Sequence, residues 1–149
     1  ATEIEVELRD LKNLLHDVVI EDVIEFKIDT DENKFNTNVL KFKSDRLIQK
    51  INEFNEKGNA KSVRNGKKFI PINISEEGLE FIELISVDTV NSEGKWYSSN
   101  EIKIDKLGYC IINGKKTKEL WNGSIKSDKK PLRIKVRNIC GDETIIKTL

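Results

Sequence analysis

The chain has 149 residues, enough for one domain with a hydrophobic core, and its aliphatic runs continue to the end, which argues against wholesale disorder. No apolar run approaches the roughly 18 residues of a membrane-spanning helix, and the N-terminus opens on acidic residues, unlike a signal peptide. Net charge is zero, but residues 1–32 carry eleven acidic and three basic residues, a balance of −8 that leaves +8 elsewhere. This asymmetry predicts an acidic segment that docks on a basic surface, or a basic face that binds a polyanion.

The N-terminal half is predicted to contain two helices and a pair of strands. In chain order these are a helix at 7–17, a strand at 23–28, its partner at 39–43 and a helix at 45–57. Ser44 or Asp45 is the expected N-cap of the second helix, and Gly58 with Asn59 its expected end. Residues 58–67 are loop-like and basic, so we expect two subregions, 1–67 and 68–149, or one compact domain.

The C-terminal half reads as β structure throughout. Its longest apolar run, Leu79–Thr89, predicts a largely buried strand. Asn113-Gly114 predicts a hairpin turn, because both residues tolerate the positive φ of a type I′ turn. Further strands are predicted at 69–74, 102–105, 109–112, 115–120, 132–137 and 144–149. The predicted fold class is therefore α+β, mainly antiparallel β, with a sandwich-like C-terminal half and two short N-terminal helices.

Complete catalytic and metal-binding motifs are absent from the sequence. His16 is the one histidine, with no nearby Ser or Cys nucleophile, and we expect a surface or capping role for it. The Asp29-x-Asp31-x-Asn33 spacing lacks the glycine and the final glutamate of a calcium loop, so a solvated turn is expected. Cys110 and Cys140 are predicted to be buried thiols of a cytoplasmic protein, with a disulfide left open. Because methionine is absent, even from position 1, we expect either an excised piece of a longer protein or a processed product.

A basic stretch near the C-terminus is the strongest functional signal. Arg133, Lys135 and Arg137 alternate along one predicted strand and share a face, and Lys129 and Lys130 precede them. These five residues predict contact with the phosphates of duplex DNA. The alternative is that an exposed sheet face carries cations for solubility and against edge pairing.

Three stretches of the C-terminal half resemble a known family. They are LEFIELISVDTVNSEGKWYSS, EIKIDKLGYCIINGKKTKELW and LRIKVRNICGDETIIK. Their order, an aliphatic strand ending in SVD, a turn, an aromatic residue and a closing alternating strand, is similar to the C-terminal region of adenine-specific DNA methyltransferases. More specifically, it resembles the modification subunits of type III restriction–modification systems, over residues 79–149.

That resemblance implies a non-catalytic piece of a methyltransferase. Members of the family methylate adenine N6 with S-adenosylmethionine, using an Asp-Pro-Pro-Tyr-like motif and a Phe-x-Gly-x-Gly motif, and neither is in this chain. We therefore expect no cofactor here, although the parent protein would bind S-adenosylmethionine. The implied roles are DNA backbone contact, dimerisation or docking of the restriction subunit. An immunoglobulin-like protein-binding or adhesion module stays open as the alternative.

Overall fold

A computed structural model describes residues 22–66, 68 and 75–148 of the chain. The predicted helix at 7–17, His16 and the predicted strand at 69–74 lie outside these residues. The described part contains two antiparallel sheets, one α-helix and a short 3₁₀ helix, which confirms the α+β class with mainly antiparallel β structure. No helix in this part is long and apolar enough to cross a membrane.

In the described ranges the elements follow one another as nine strands, with one α-helix after the second strand. The strands are β1 Val23–Asp31, β2 Lys34–Lys43, β3 Ile82–Asp88, β4 Asn100–Ile104, β5 Tyr109–Ile112, β6 Lys115–Leu120, β7 Ser124–Ser127, β8 Arg133–Asn138 and β9 Glu143–Lys147. The α-helix is α1, Asp45–Asn65, and the 3₁₀ helix is Leu79–Phe81.

Two compact units divide the chain, and neither is a continuous segment. Of the described residues, the first contains residues 22–23, 43–66 and 68, and therefore α1; the second contains residues 24–42 and 75–148, and therefore nearly all of both sheets. The sequence grouped all of residues 1–67 together, whereas the β1–β2 hairpin within that range pairs with β7 of the C-terminal half.

Helix α1 is longer than the sequence predicted. The expected N-cap is confirmed, because the Ser44 side chain accepts a hydrogen bond from the backbone N–H of Leu47 at 3.4 Å. The expected end at Gly58 is wrong: the helix continues to Asn65 and ends at Gly66, whose left-handed φ of 67° and bond to the Ser62 carbonyl form the C-cap. A glycine inside a helix costs about 1 kcal/mol, so Gly58 weakens α1 without ending it. The predicted loop at 58–67 is accordingly mostly helix.

Strand β3 lies at the centre of the larger sheet, whose order is β6-β5-β4-β3-β8-β9. Its buried position confirms the strand predicted from the long apolar run, although residues 79–81 form a 3₁₀ turn and not its first residues. The predicted hairpin is also confirmed. Asn113 and Gly114 have φ of 49° and 84° and join β5 to β6.

The smaller sheet has the order β1-β2-β7 and contains a strand that the sequence analysis missed. Strand β7 is only four residues long and packs against β3 and β4, so the two sheets face each other as a sandwich. The core between them consists of aliphatic side chains that are nearly inaccessible to solvent: Val39, Ile85, Val87, Ile102, Ile125, Ile134 and Val136.

Candidate nucleic-acid interface

The carboxylate of Asp88, the last residue of β3, is completely buried and fully hydrogen-bonded. One oxygen accepts the backbone N–H groups of Val90 and Asn91 at 2.8 and 2.7 Å. The other accepts the N–H of Tyr97 and a guanidinium N–H of Arg133, both at 2.9 Å. Burial alone would raise the pKa of Asp88, but these donors lower it below the usual value. Asp88 is therefore a buried anion.

Arg133, the first residue of β8, fixes the loop that follows β3. Its side chain is only 8% exposed and, besides the ion pair with Asp88, donates to three carbonyl oxygens of that loop. The acceptors belong to Asn91, Gly94 and Lys95, at 3.0, 3.1 and 3.1 Å. A guanidinium suits this position because its donors are held in one plane and stay charged. The ion pair thus holds residues 89–99, here named the Trp96 loop, against the sheet.

Trp96 joins this loop to two cations of β8. Its ring centre lies 5.1 Å from the guanidinium carbon of Arg133 and 4.6 Å from the Nζ of Lys135, both within the range of cation–π attraction. The next residue, Tyr97, is 54% exposed. The loop therefore presents an ordered aromatic surface beside a cation.

Arg137, the third cation of the predicted basic face, also has an acidic partner. Its Nε donates to the Glu83 carboxylate at 2.9 Å, and both side chains are partly buried. Arg133, Lys135 and Arg137 do share one face of β8, as predicted from their alternation. Two of the three charges, however, are neutralised within the chain, so this face is less basic than the sequence indicated.

As far as the structure describes the chain, positive charge without an acidic partner remains at one end of the larger sheet. Antiparallel pairing brings together there the Trp96 loop, the β7–β8 connection and the end of β9. Three ion pairs link these segments or flank them: Arg133–Asp88, Lys147–Glu93 and Lys34–Asp128. Within the described residues, four lysines near this end have no carboxylate within 4.0 Å. These are Lys95, Lys129, Lys130 and Lys135, here named the sheet-end patch.

The two cysteines are not joined in a disulfide. Cys110 is buried in β5, and burial together with the negative charges of Glu119 and Asp105 raises the pKa of its thiol. Cys140 lies in the turn after β8 and is exposed. The prediction of buried thiols is thus confirmed for Cys110 and wrong for Cys140.

A cleft of about 430 Å³ in the second unit is lined by Cys110, Ile112 and Trp121 among other residues. The thiol of Cys110 is protonated near neutral pH because of its raised pKa, so it is not an activated nucleophile. In the described part of the chain, no three His, Cys, Asp or Glu side chains are grouped as a metal site.

The buried ion pair is the feature that sequence reasoning missed. Asp88 and Arg133 are 45 residues apart, so no local pattern links them. The available signal was an aspartate at the end of the most apolar run of the chain, because a carboxylate there needs a buried donor.

Comparison of the chain with protein-family profiles, curated proteins and solved structures gives no match.

Proposed function

We propose that this chain is a non-catalytic domain that contacts the backbone of duplex DNA, as the resemblance to type III adenine-specific modification subunits implies. The observation that carries the proposal is the sheet-end patch, whose four lysines lack a carboxylate partner among the described residues. Lysine is a mobile point charge suited to phosphates. Such contacts would position a duplex without reading its bases.

The residues that carry the family resemblance are a second line of support for this proposal. The SVD motif supplies Asp88, the aromatic after the turn is Trp96, and the closing alternating strand supplies Arg133. These three residues meet in one cluster and hold the Trp96 loop in place. We infer that these three residues belong to a pattern shared with the family because they support the Trp96 loop. The neighbouring lysines would make the DNA contacts.

A non-catalytic role is supported by the chemistry of the described groups. The methyltransferase motifs are not in the sequence, and the cleft thiol of Cys110 has a raised pKa. We expect the chain to act in the cytoplasm, with S-adenosylmethionine bound by the parent protein and not by this piece.

Fluorescence anisotropy with a labelled 20-base-pair duplex tests the proposal. The variant K129Q/K130Q/K135Q removes three of the four patch charges, while K103Q/K115Q/K118Q removes three exposed lysines of β4 and β6 as a matched control. The slope of log affinity against log salt should be lower by about 2.7 in the patch variant, at roughly 0.9 per phosphate contact. Equal slopes for both variants would mean that only net charge matters and would refute the patch.

A protein contact is the second candidate, because the second unit also has an apolar groove. This groove, about 680 Å³, has apolar walls with a charged margin, and Leu120 in it is 68% exposed. The apolar residues are Leu79, Ile82, Ile104, Leu120, Trp121 and Ile139, and the charged ones are Glu80, Glu83, Asp105 and Lys106. Of the protein partners that the resemblance implies, a second copy is tested directly by light scattering. A dimer that L120K dissociates would support it, and a monomer at 100 μM, a concentration chosen for this test, would exclude it.

A further inference from the structure

The second half of α1 is a basic segment outside both sheets. Residues 57–68 contain Lys57, Lys61, Arg64, Lys67 and Lys68 and no aspartate or glutamate. The sequence alone predicts a loop over most of this segment, in which the charges would have no common direction. The structure shows a helix as far as Asn65, so the cations up to that residue project in defined directions.

Helical geometry places three of these cations on one face. At about 100° per residue, Lys57, Lys61 and Arg64 fall within roughly 60° around the helix axis. They also span about 10.5 Å along that axis, at about 1.5 Å per residue. All three side chains are exposed. We name these three residues the basic helix face.

Among the residues that the structure describes, the basic helix face has no acidic partner, and it lies beside a groove. Within the described part of the chain, none of its three cations has a carboxylate within 4.0 Å, although Glu53 precedes Lys57 by one helical turn. A groove of about 450 Å³ runs along this side of the first unit, lined by Phe54, Lys57, Gly58, Lys61, Ser62, Asn65 and Lys68. The glycine has no side chain to fill this space.

The distribution of apolar residues argues against a membrane surface as the partner. The large exposed apolar side chains of α1 are Phe54 and Val63. They are nine residues apart, so they point to opposite sides of the helix, about 180° from each other. A helix that lies in a membrane interface needs one continuous apolar face.

We propose that the basic helix face is a second phosphate-binding site, which contacts the backbone of duplex DNA. This inference rests on the proposed function and adds a contact surface in the first unit. Duplex DNA carries a dense array of phosphates, about one per 3.4 Å of axis on each strand, so three cations on one exposed helix face can each contact a phosphate. Such contacts reach the backbone and not the base edges, so binding would be independent of sequence.

The test measures duplex binding by the full chain and by the variant K57Q/K61Q/R64Q. Glutamine keeps helix propensity close to that of lysine and arginine, and circular dichroism checks that α1 is retained. K103Q/K115Q/K118Q again serves as the control with the same loss of charge. Three lost contacts lower the salt slope by about 2.7, so raising salt from 50 to 200 mM should weaken the wild type about 40-fold more than the variant.

The outcomes separate this inference from the proposed function. If the slope of log affinity against log salt is the same for the helix variant and the control but lower for K129Q/K130Q/K135Q, the helix site is refuted and the sheet-end patch is supported. A loss confined to the helix variant supports the helix site and refutes the patch. If the wild type does not bind duplex DNA at 50 mM salt, both proposals fail. Equal binding of poly-glutamate and DNA through this face would identify an acidic polypeptide as partner and overturn the DNA assignment.

Discussion

Replacing Arg133 with methionine should destabilise the protein far more than the same change at Arg137, two residues along β8. Methionine replaces the aliphatic stem of the arginine but removes every donor. The substitution leaves the Asp88 carboxylate buried without its cation and frees the carbonyls of Asn91, Gly94 and Lys95 from their shared donor. Breaking a buried ion pair by removing one partner costs about 3–5 kcal/mol, because the remaining charge is uncompensated.

The Arg137→Met variant is the matched control. Its pair with Glu83 is about one-third exposed on both sides, so water screens the charges and the expected cost is about 0.5–1 kcal/mol. Urea unfolding followed by circular dichroism measures both values. Loss of less than about 1 kcal/mol in Arg133→Met, or equal losses in both variants, would refute the assignment of the ion pair as the support of the Trp96 loop.

Three further predictions concern single side chains. Hydrogen bonds lower the native pKa of Asp88 below its unfolded value, so the stabilisation by its carboxylate is present above about pH 4 and is lost as pH falls through the native pKa. In urea titrations at several pH values, Asp88→Asn should therefore remove the loss of stability that Asp88 causes at acidic pH. An unchanged dependence of stability on pH would contradict this prediction. Ellman's reagent should modify the exposed Cys140 within minutes and the buried Cys110 only after unfolding, so two fast thiols in the native state would contradict the assigned burial. Thr37→Val should leave the melting temperature unchanged or raise it, because the buried Thr37 hydroxyl has no hydrogen-bond partner among the described residues, and a loss above about 1 kcal/mol would reveal one.

Elements with strong local signals were predictable from the sequence. The central strand was visible because its apolar run is too dense for an exposed segment, and the hairpin because Asn113-Gly114 suits two successive positive φ angles. The start of α1 was visible from Ser44. Its end was not, since Gly58 and Gly66 are both plausible stops and only the second has the left-handed conformation of a C-cap.

The candidate site depended on contacts that no local pattern contains. Alternation placed Arg133, Lys135 and Arg137 on one face of β8, which the structure confirms. It could not show that this face is partly covered by the Trp96 loop, or that acidic residues of β3 neutralise two of the three charges. Strand β7 was missed for a related reason: four residues are too few for periodicity to indicate a strand.

The most direct test of DNA contact at the sheet-end patch is an NMR titration of the full chain with an unlabelled 20-base-pair duplex at 50 mM salt. If the patch binds the DNA backbone, amide shifts should change at Lys95, Lys129, Lys130 and Lys135 and return to their original values as salt is raised. Shifts that change equally across exposed lysines of β6, or none that change at all, would contradict DNA contact through the sheet-end patch.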